Sequence, residues 1–302
     1  MFDVARDHLA LYIGYTGLGQ VALMRGKLDA VLDASEKAVG HAHRAGLPYH
    51  LLDWRASARV FGSTPVVDLL GWLDTQDARG VQNVDLRRYK SLALAMLGRF
   101  DEARAIMGRA RADLADRGSL IRLAAFTCSI CVDVGLMAGD SAAAVALGEE
   151  GCRMLDELGE GSFLSTGAGN LAQALYAADR LEEAAEWAGR AKELGASDDA
   201  ATQMLWRQVR AKVHARCGQR DEAERLAREA VAISEDTDLL NEQAKVYADL
   251  GEVLSLVGRS DEAVAALEEA LARYERKGNL VSTERTKKRI AEIRAKARTS
   301  GR

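Results

Sequence analysis

A short turn recurs along the chain and divides it into similar pieces. From Gly98 onward, a turn residue followed by acidic and small residues returns at intervals of 41, 40, 39 and 40 residues, at Gly139, Asp179, Gly218 and Gly258. The interval from Gly26 to Gly98 is 72 residues, and the segment 61–65 (Phe-Gly-Ser-Thr-Pro) lies at its midpoint. Self-similarity at a fixed period is typical of repeat architectures. The spacing therefore predicts seven repeat units.

Each turn has the composition of a junction between two helices. Glycine ends a helix in the left-handed conformation, and Asp, Glu or Ser opens the next one, where it caps free N–H groups. Because acids recur at every turn, capping explains them better than acid–base catalysis does. Apolar residues keep helical spacing on both sides of the last turn: Tyr247, Leu250, Leu254 and Val257 before it, and Ala263, Leu267, Ala270 and Leu271 after it. This pattern indicates two amphipathic helices per unit.

The composition agrees with a chain built from helices. It contains two prolines, and aromatic residues make up 5%. Proline is the poorest helix former, so its scarcity leaves long helices uninterrupted. The hydrophobic share of 48% excludes a disordered chain, and the helical pattern excludes a large β-sheet.

The unit resembles the tetratricopeptide repeat. Leu250-Gly251, Leu254, Gly258, Asp261-Glu262-Ala263, Leu267 and Ala270 lie at that family's spacings. The resemblance implies an all-α, TPR-like α-solenoid, a right-handed superhelix of about seven helical hairpins plus a C-terminal helix at about 280–298. We expect one repeat domain, 1–302, with these approximate units: 1–46, 47–80, 81–118, 119–159, 160–196, 197–237 and 238–278.

A narrower resemblance rests on several short segments. They are 62–66 (GSTPV), 164–166 (LST), 197–199 (SDD), 205–207 (LWR), 223–230 (AERLAREA) and 274–279 (YERKGN). They are similar to the C-terminal helical-repeat region of actinobacterial signalling regulators that join a class III adenylate/guanylate cyclase, a STAND-type ATPase and such repeats. The resemblance implies a sensor arm of such a regulator or a stand-alone relative, with the catalytic domains absent.

Two glycine-rich segments are similar to nucleotide-binding motifs only as strings. In 14–21 (GYTGLGQV), Gln20 and Val21 replace the lysine and the hydroxyl residue that a P-loop needs. In 167–172 (GAGNLA), a dinucleotide fingerprint would have to lie between a strand and a helix, whereas this segment is expected to open a helix in a helical array. We therefore predict no cofactor.

The cysteines and histidines do not form a convincing metal or catalytic site. Cys128 and Cys131 are expected one turn apart in mid-helix as buried core thiols, since no second pair exists to complete a zinc site. His41, His43 and His50 are interpreted as surface histidines near a repeat junction, because the first two point in different directions on a helix. His8 and His214 lack a nucleophilic partner. The chain is predicted not to be an enzyme.

Charge and hydropathy limit the classes of partner that the sequence predicts. The net charge of −4 makes nucleic acid an unlikely partner, although residues 273–302 carry eleven Lys/Arg against three Glu. The uncharged stretch between Arg122 and Asp133 is about half the length of a membrane span. No secretory segment is recognised, so we expect a cytoplasmic location without a membrane partner.

The remaining candidate site is the concave surface of the array. In tetratricopeptide-like proteins the first helix of each hairpin lines this surface. Its predicted partner-binding residues are Asp133, Gln173, Tyr176, Gln208, Lys212 and Glu252. We predict a scaffold in signalling or transcriptional control that binds a protein or peptide, including its own cyclase or ATPase domains. A small-molecule effector in a closed cavity, a regulatory fragment and a homo-oligomer remain alternatives.

Overall fold

The computed structural model describes residues 7–47, 52–78 and 83–300. Within these ranges the regular elements are sixteen helices, which confirms the predicted all-α class. They are α1 His8–Met24, α2 Leu28–Arg44, α3 Leu52–Phe61, α4 Val66–Ala78, α5 Val84–Met96, α6 Phe100–Asp116, α7 Leu120–Thr127, α8 Ile130–Ala138, α9 Ser141–Glu157, α10 Gly161–Ala177, α11 Leu181–Leu194, α12 Ala200–Arg216, α13 Arg220–Glu235, α14 Leu240–Leu256, α15 Ser260–Lys277 and α16 Leu280–Ser300.

Successive helices form antiparallel hairpins that stack into a solenoid. The tightest pairs are α1 with α2, α10 with α11, α12 with α13 and α14 with α15, and each hairpin also packs on the next. The turn residues Gly26, Gly98, Gly218 and Gly258 have φ between +67° and +90°, and Asp179 has φ +63° in the same role. The predicted unit boundary at residue 80, like His50, lies outside the described residues.

The first helix of the fourth hairpin is broken into α7 and α8. Cys128 and Ser129 form the break, so the prediction that Cys128 and Cys131 lie in mid-helix is wrong. Near the break, the Thr127 hydroxyl donates to the Leu123 carbonyl at 2.7 Å, and the Ser129 hydroxyl donates to the Ala125 carbonyl at 2.5 Å. Such bonds back to the preceding turn bend helices. Both thiols are buried, as predicted.

Glycines inside helices allow neighbouring helices to approach closely. Gly167 lies within α10 rather than at its start, which corrects the predicted placement of that motif. A Cβ on Gly167 would lie 2.6 Å from the Cys128 Sγ, and one on Gly151 would lie 2.6 Å from the Cys128 backbone nitrogen. Gly167 thus serves packing between the fourth and fifth hairpins, and Gly151 serves packing within the fourth.

The solenoid curls until its last repeats touch its first ones. Lys277, at the end of α15, is fully buried, and its Nζ donates to the carbonyls of Arg59 and Gly62 at 2.8 Å and of Thr64 at 2.7 Å. The three N–H groups of an ammonium thus find three acceptors between α3 and α4. Nearby, the Asp238 backbone N–H donates to the Gly26 carbonyl at 2.7 Å. These contacts join the two ends of the array.

The C-terminal helix α16 lies across the interior that this curl encloses. It packs on α15 and also contacts α5. Arg285 of α16 donates from Nη1 to the Leu136 carbonyl at 3.0 Å and from Nη2 to the Met137 carbonyl at 2.7 Å. These carbonyls belong to the last turn of α8, where a cation is electrostatically favoured. Helix α16 therefore lies against α15 and reaches α5 and α8 across the concave side of the array.

The histidine prediction is wrong for His41. This residue is buried between α1 and α2, where its Nδ1 lies 3.1 Å from the Nδ1 of His8 and its ring stacks on Tyr15. Helix α1 covers it, and sequence spacing within α2 alone does not reveal this. His43 is exposed, as expected.

One described stretch of 19 residues, Leu120–Ala138, is long and apolar enough to cross a membrane, and an 18-residue window within it has a mean hydropathy of 1.8. The sequence analysis considered only the uncharged residues between Arg122 and Asp133, which are part of this stretch. Half of the stretch is buried inside the fold, and core helices of proteins without a membrane span have the same composition. This length and composition are weak evidence for a span.

Candidate ligand-binding pocket

A cavity of about 400 Å³ lies in the curled interior of the solenoid. Side chains from α5, α8, α10, α12, α14, α15 and α16 line it. Five of the six predicted concave residues are among them: Asp133, Gln173, Tyr176, Lys212 and Glu252. Gln208 is not, but it reaches the same cluster through Asp249. The structure thus brings the six predicted residues into one region.

A shared position in the repeat explains this convergence. Asp133, Gln173, Lys212 and Glu252 each lie six residues before the residue that makes the turn of their own hairpin. Equivalent positions in a stacked array form a row along the inner face. The row therefore carries, in order, an acid, an amide, a base and an acid into the cavity.

Lys212 is the centre of a buried hydrogen-bond network. Its Nζ donates to the Gln173 Oε1 at 2.7 Å and to the Asp249 Oδ1 at 3.0 Å. Gln208 donates from Nε2 to the Asp249 Oδ2 at 2.9 Å. The ammonium also lies 4.7 Å from the ring centroid of Tyr176, a cation–π distance. Charge pairing and these bonds offset the cost of burying Lys212, which is 5% exposed.

Tyr176 and Glu252 form a second pair at the cavity wall. The Tyr176 hydroxyl donates to the Glu252 Oε1 at 2.7 Å. Burial, followed by the negative charge of Glu252, raises the pKa of Tyr176 well above its usual value. Arg289 of α16 lies 3.9 Å from the other oxygen of Glu252. The phenol is therefore a neutral hydrogen-bond donor at ordinary pH.

A third group surrounds Lys245 of α14. Its Nζ lies 3.2 Å from the Asp133 Oδ1 and 3.8 Å from the Glu242 Oε2. Burial opposes the charge of Lys245, but Asp133 and Glu242 together raise its pKa. Burial raises the pKa of Glu242. Asp133 on α8 is thereby tied to a helix 112 residues later in the chain.

One polar group in the cavity has no hydrogen-bond partner within the described chain. The Gln173 side chain is 5% exposed, and its Oε1 is used by Lys212, but its Nε2 has no acceptor. A buried amide N–H without a partner costs about 1–3 kcal/mol. An acceptor supplied by water or a ligand would remove this cost, so Gln173 is a lining residue with an amide donor to spare.

The charges that line the cavity balance. Four acids (Asp133, Glu242, Asp249 and Glu252) face four bases (Lys212, Lys245, Arg285 and Arg289). Within the described residues no group of three or more His, Cys, Asp or Glu could hold a metal ion. The arrangement offers paired donors and acceptors to a polar ligand of low net charge.

Sequence reasoning missed the residues that close the cavity from α14 and α16. Lys245 and Asp249 lie seven and three residues before Glu252, on the same face of one helix, and this spacing was an available signal. No local pattern indicated Arg285, because its role depends on where the superhelix returns to α8.

Family models for the tetratricopeptide repeat match residues 200–276, 86–109 and 166–190. No match to a curated protein sequence is found. Among solved structures, the APC/C hetero-tetramer Cut9–Hcn1 is similar at a TM-score of 0.64 and 12% identity, over 91% of this chain and 48% of that one. This chain thus spans about half the length of that relative.

Two further structures are similar. NprR in complex with its cognate peptide NprX has a TM-score of 0.56 and 11% identity, over 97% of this chain and 88% of that one. A thermophilic TPR protein of Thermus thermophilus has a TM-score of 0.45 and 20% identity, over 70% and 98%. At these identities the likeness is one of fold. The chain contains tetratricopeptide repeats over the matched residues and folds as a TPR-like α-solenoid.

Proposed function

We propose that this chain is a non-catalytic sensor scaffold that holds a small polar effector in its interior pocket. A cavity of about 400 Å³ lined by paired charges, with Gln173 and its spare amide donor in the wall, carries the proposal. Ligand pockets commonly measure about 300–1,000 Å³, so the cavity suits a ligand of modest size. Its walls come from the middle hairpins and from the C-terminal end of the solenoid. A ligand there would connect α8, α10 and α12 with α14 and α16.

The balance of charge selects among ligand classes. A polyanion such as a nucleotide triphosphate would meet four carboxylates, and a polyamine would meet four bases. A zwitterion of zero net charge can present an acceptor to Gln173 while its cationic end faces an acid such as Glu242. Amino acids and short peptides with free termini belong to this class. We therefore infer that the effector is a zwitterion of this type.

Effector binding would act on the closure of the array. The Asp133–Lys245 pair and the contacts of Arg285 with α8 join the same helices that line the cavity. A ligand that adds bonds between these helices favours the closed form by its differential affinity. The outer surface would pass this change to a protein partner. A cyclase or ATPase parent, and a cytoplasmic location, remain proposals that rest on the sequence resemblance and composition.

A peptide segment of a protein partner is the second candidate. The NprR structure contains a cognate peptide, and its fold is similar over 97% of this chain. A longer peptide would need the cavity to open at α16. The two candidates therefore differ in the length of ligand that binds without a change at this helix.

Thermal unfolding with defined probes tests the proposal. The panel contains free amino acids, tri-alanine with free termini, Mg-ATP, cyclic AMP and spermidine. A zwitterion at about 100 times its Kd should stabilise the fold by about 2.7 kcal/mol and raise the Tm by about 5 °C. Stabilisation by the nucleotides or spermidine alone, or by no member of the panel, would contradict it. Hydrolysis of ATP or formation of cyclic nucleotide by the pure chain would contradict the non-catalytic assignment.

Gln173→Glu is the informative variant. The change is isosteric and keeps an oxygen for Lys212, but it replaces the free amide donor with an acceptor. We expect the fold to persist and the ligand-dependent rise in Tm to disappear. Gln20→Glu, an identical change on the exposed face of α1, is the matched control and should behave as the unmodified chain. An equal response of both variants would remove Gln173 from the site.

A further inference from the structure

The inner row of the array begins with an apolar residue. Leu92 of α5 lies six residues before the turn residue Gly98, and Asp133 and Gln173 hold the same position in the next two hairpins. Leu92 also lines the cavity. Helix α5 packs against α8 and contacts α16, so it lies between them in the wall of the cavity. The row is therefore apolar at α5 and polar from α8 onward.

Two side chains of α8 extend this apolar surface. Leu136 and Met137 follow Asp133 by three and four residues, which places all three on one face of the helix. Both line the cavity and are only partly buried. Met137 packs against the core cluster that contains Leu92. The other large aliphatic residue of the lining, Leu267, lies on α15 and packs against α14. We call Leu92, Leu136 and Met137 the apolar wall.

The charged groups of the cavity already have partners within the chain. Lys212 donates to Asp249, and Arg285 donates to two backbone carbonyls. Lys245 pairs with Asp133. A ligand that bonded to these groups would replace existing partners, and such an exchange gains little free energy. Covering apolar surface removes it from water and is favourable in proportion to the area covered. The apolar wall is therefore the part of the cavity that a ligand can stabilise most.

The apolar wall lies one helix away from the spare amide donor of Gln173. Helices α8 and α10 pack together, and the axes of packed helices lie about 8–10 Å apart. An extended residue spans about 3.5 Å, so a ligand of one or two residues reaches from Gln173 to the wall. We propose that the effector carries an apolar side chain that the apolar wall selects. It is an apolar amino acid, or a short peptide that presents one, and this inference rests on the proposed function.

Isothermal titration calorimetry with defined probes tests this selection. L-leucine and the dipeptide Leu-Leu supply the apolar group, L-serine supplies the same charged groups without it, and isoamyl alcohol supplies the leucine side chain without charges. We expect the Kd of L-leucine to be at least tenfold below that of L-serine, because one methylene in an apolar pocket changes specificity about 10–200-fold. The heat-capacity change should be more negative for L-leucine. Either order of L-leucine and Leu-Leu supports the wall and distinguishes a free amino acid from a peptide.

Met137→Gln is the informative variant, because it keeps the length of the side chain and places an amide in the wall. It should weaken binding of L-leucine at least tenfold and leave binding of L-serine unchanged. Met107→Gln on α6 is the matched control, since Met107 is also partly buried against the same core cluster but does not line the cavity. It should bind L-leucine as the unmodified chain does, and urea midpoints of the two variants report on folding. Should Met137→Gln unfold, the comparison of L-leucine with L-serine on the unmodified chain still decides.

The outcomes separate this inference from the proposed function. If L-serine binds as tightly as L-leucine, or if a folded Met137→Gln chain keeps the full preference for L-leucine, the apolar wall does not select the ligand and the zwitterion pocket stands. If isoamyl alcohol binds as tightly as L-leucine, the wall stands and the zwitterionic effector is wrong. If none of these probes binds, both are wrong.

Discussion

Gly151 in the middle of α9 offers a direct test of how closely the two arms of the fourth hairpin pack. A Cβ built on it would lie 2.6 Å from the Cys128 nitrogen, 2.7 Å from the Ala124 carbonyl oxygen and 2.7 Å from the Cys128 Cβ. Two of these atoms are backbone atoms of α7 or its C-terminal cap, so no side-chain rotation can relieve the contact. For Gly151→Ala, α7 and α9 must separate by about 0.8 Å to restore ordinary contacts. A gap of that size forfeits a quarter to a half of the dispersion energy of the atoms it separates.

Two opposing effects set the expected magnitude. The alanine improves helix propensity by about 1 kcal/mol, and overpacking of a well-filled core costs about 1–3 kcal/mol. Because the added methyl group would meet backbone atoms, we take the upper end of the overpacking cost, about 3 kcal/mol. The free energy of unfolding should therefore fall by about 2 kcal/mol in net. In α6, Gly108→Ala meets nothing within 4 Å and should gain about 1 kcal/mol. Urea unfolding followed by circular dichroism should separate the two variants by about 3 kcal/mol. If Gly151→Ala is as stable as the unmodified chain, the close packing inferred for this interface is wrong.

Three further predictions concern closure and burial. Burial lowers the pKa of Lys277 to about 7, below its ordinary 10.5; between these values the unfolded chain binds more protons, so the free energy of unfolding should rise with pH. In Lys277→Met this rise should be absent when urea midpoints are compared from about pH 6.5 to 9. If the urea midpoint depends on pH equally in the variant and the unmodified chain, the lowered pKa of Lys277 is wrong. Native thiol titration should label Cys217 alone, since the other three thiols are buried and burial raises the pKa of Cys131 to about 12; rapid labelling of more than one thiol would refute it. Gly26→Ala should lower the free energy of unfolding by about 2–3 kcal/mol, because φ is +67° and the added Cβ would lie 2.9 Å from the turn before α14. Gly218→Ala, with φ +78° and open space around the added Cβ, should lower it by only about 1 kcal/mol. Equal losses in the two variants would exclude a contribution from the contact between the ends of the array.

The inner row of the candidate site was accessible from sequence because it repeats. Asp133, Gln173, Lys212 and Glu252 share one position relative to their turns, and stacking alone brings equivalent positions together. Gln208 lies in the same region but donates to Asp249 and does not line the cavity. The role of these residues in binding remains a prediction.

Other structural features could not be predicted from the sequence because they depend on residues far along the chain. The break at Ser129 arises where hydroxyl groups bond to the preceding turn of a helix, in a segment whose apolar pattern predicts continuity. His41 is buried by α1, which its own helix does not indicate. Lys245 pairs with Asp133 across 112 residues, and no local spacing predicts that pair.

The sequence by itself determined the hairpins, their period and the inner face, because helix propensity, capping and turn conformation are decided within a few residues of each position. Only the tertiary structure decided that the array curls onto itself, forms an interior pocket that is open to solvent and leaves the outer face of α1 exposed. The curl is the sum of small rotations between successive hairpins, and each rotation depends on how whole interfaces pack. Contacts such as that of Lys277 with the carbonyls between α3 and α4 form only after those rotations have accumulated over the array.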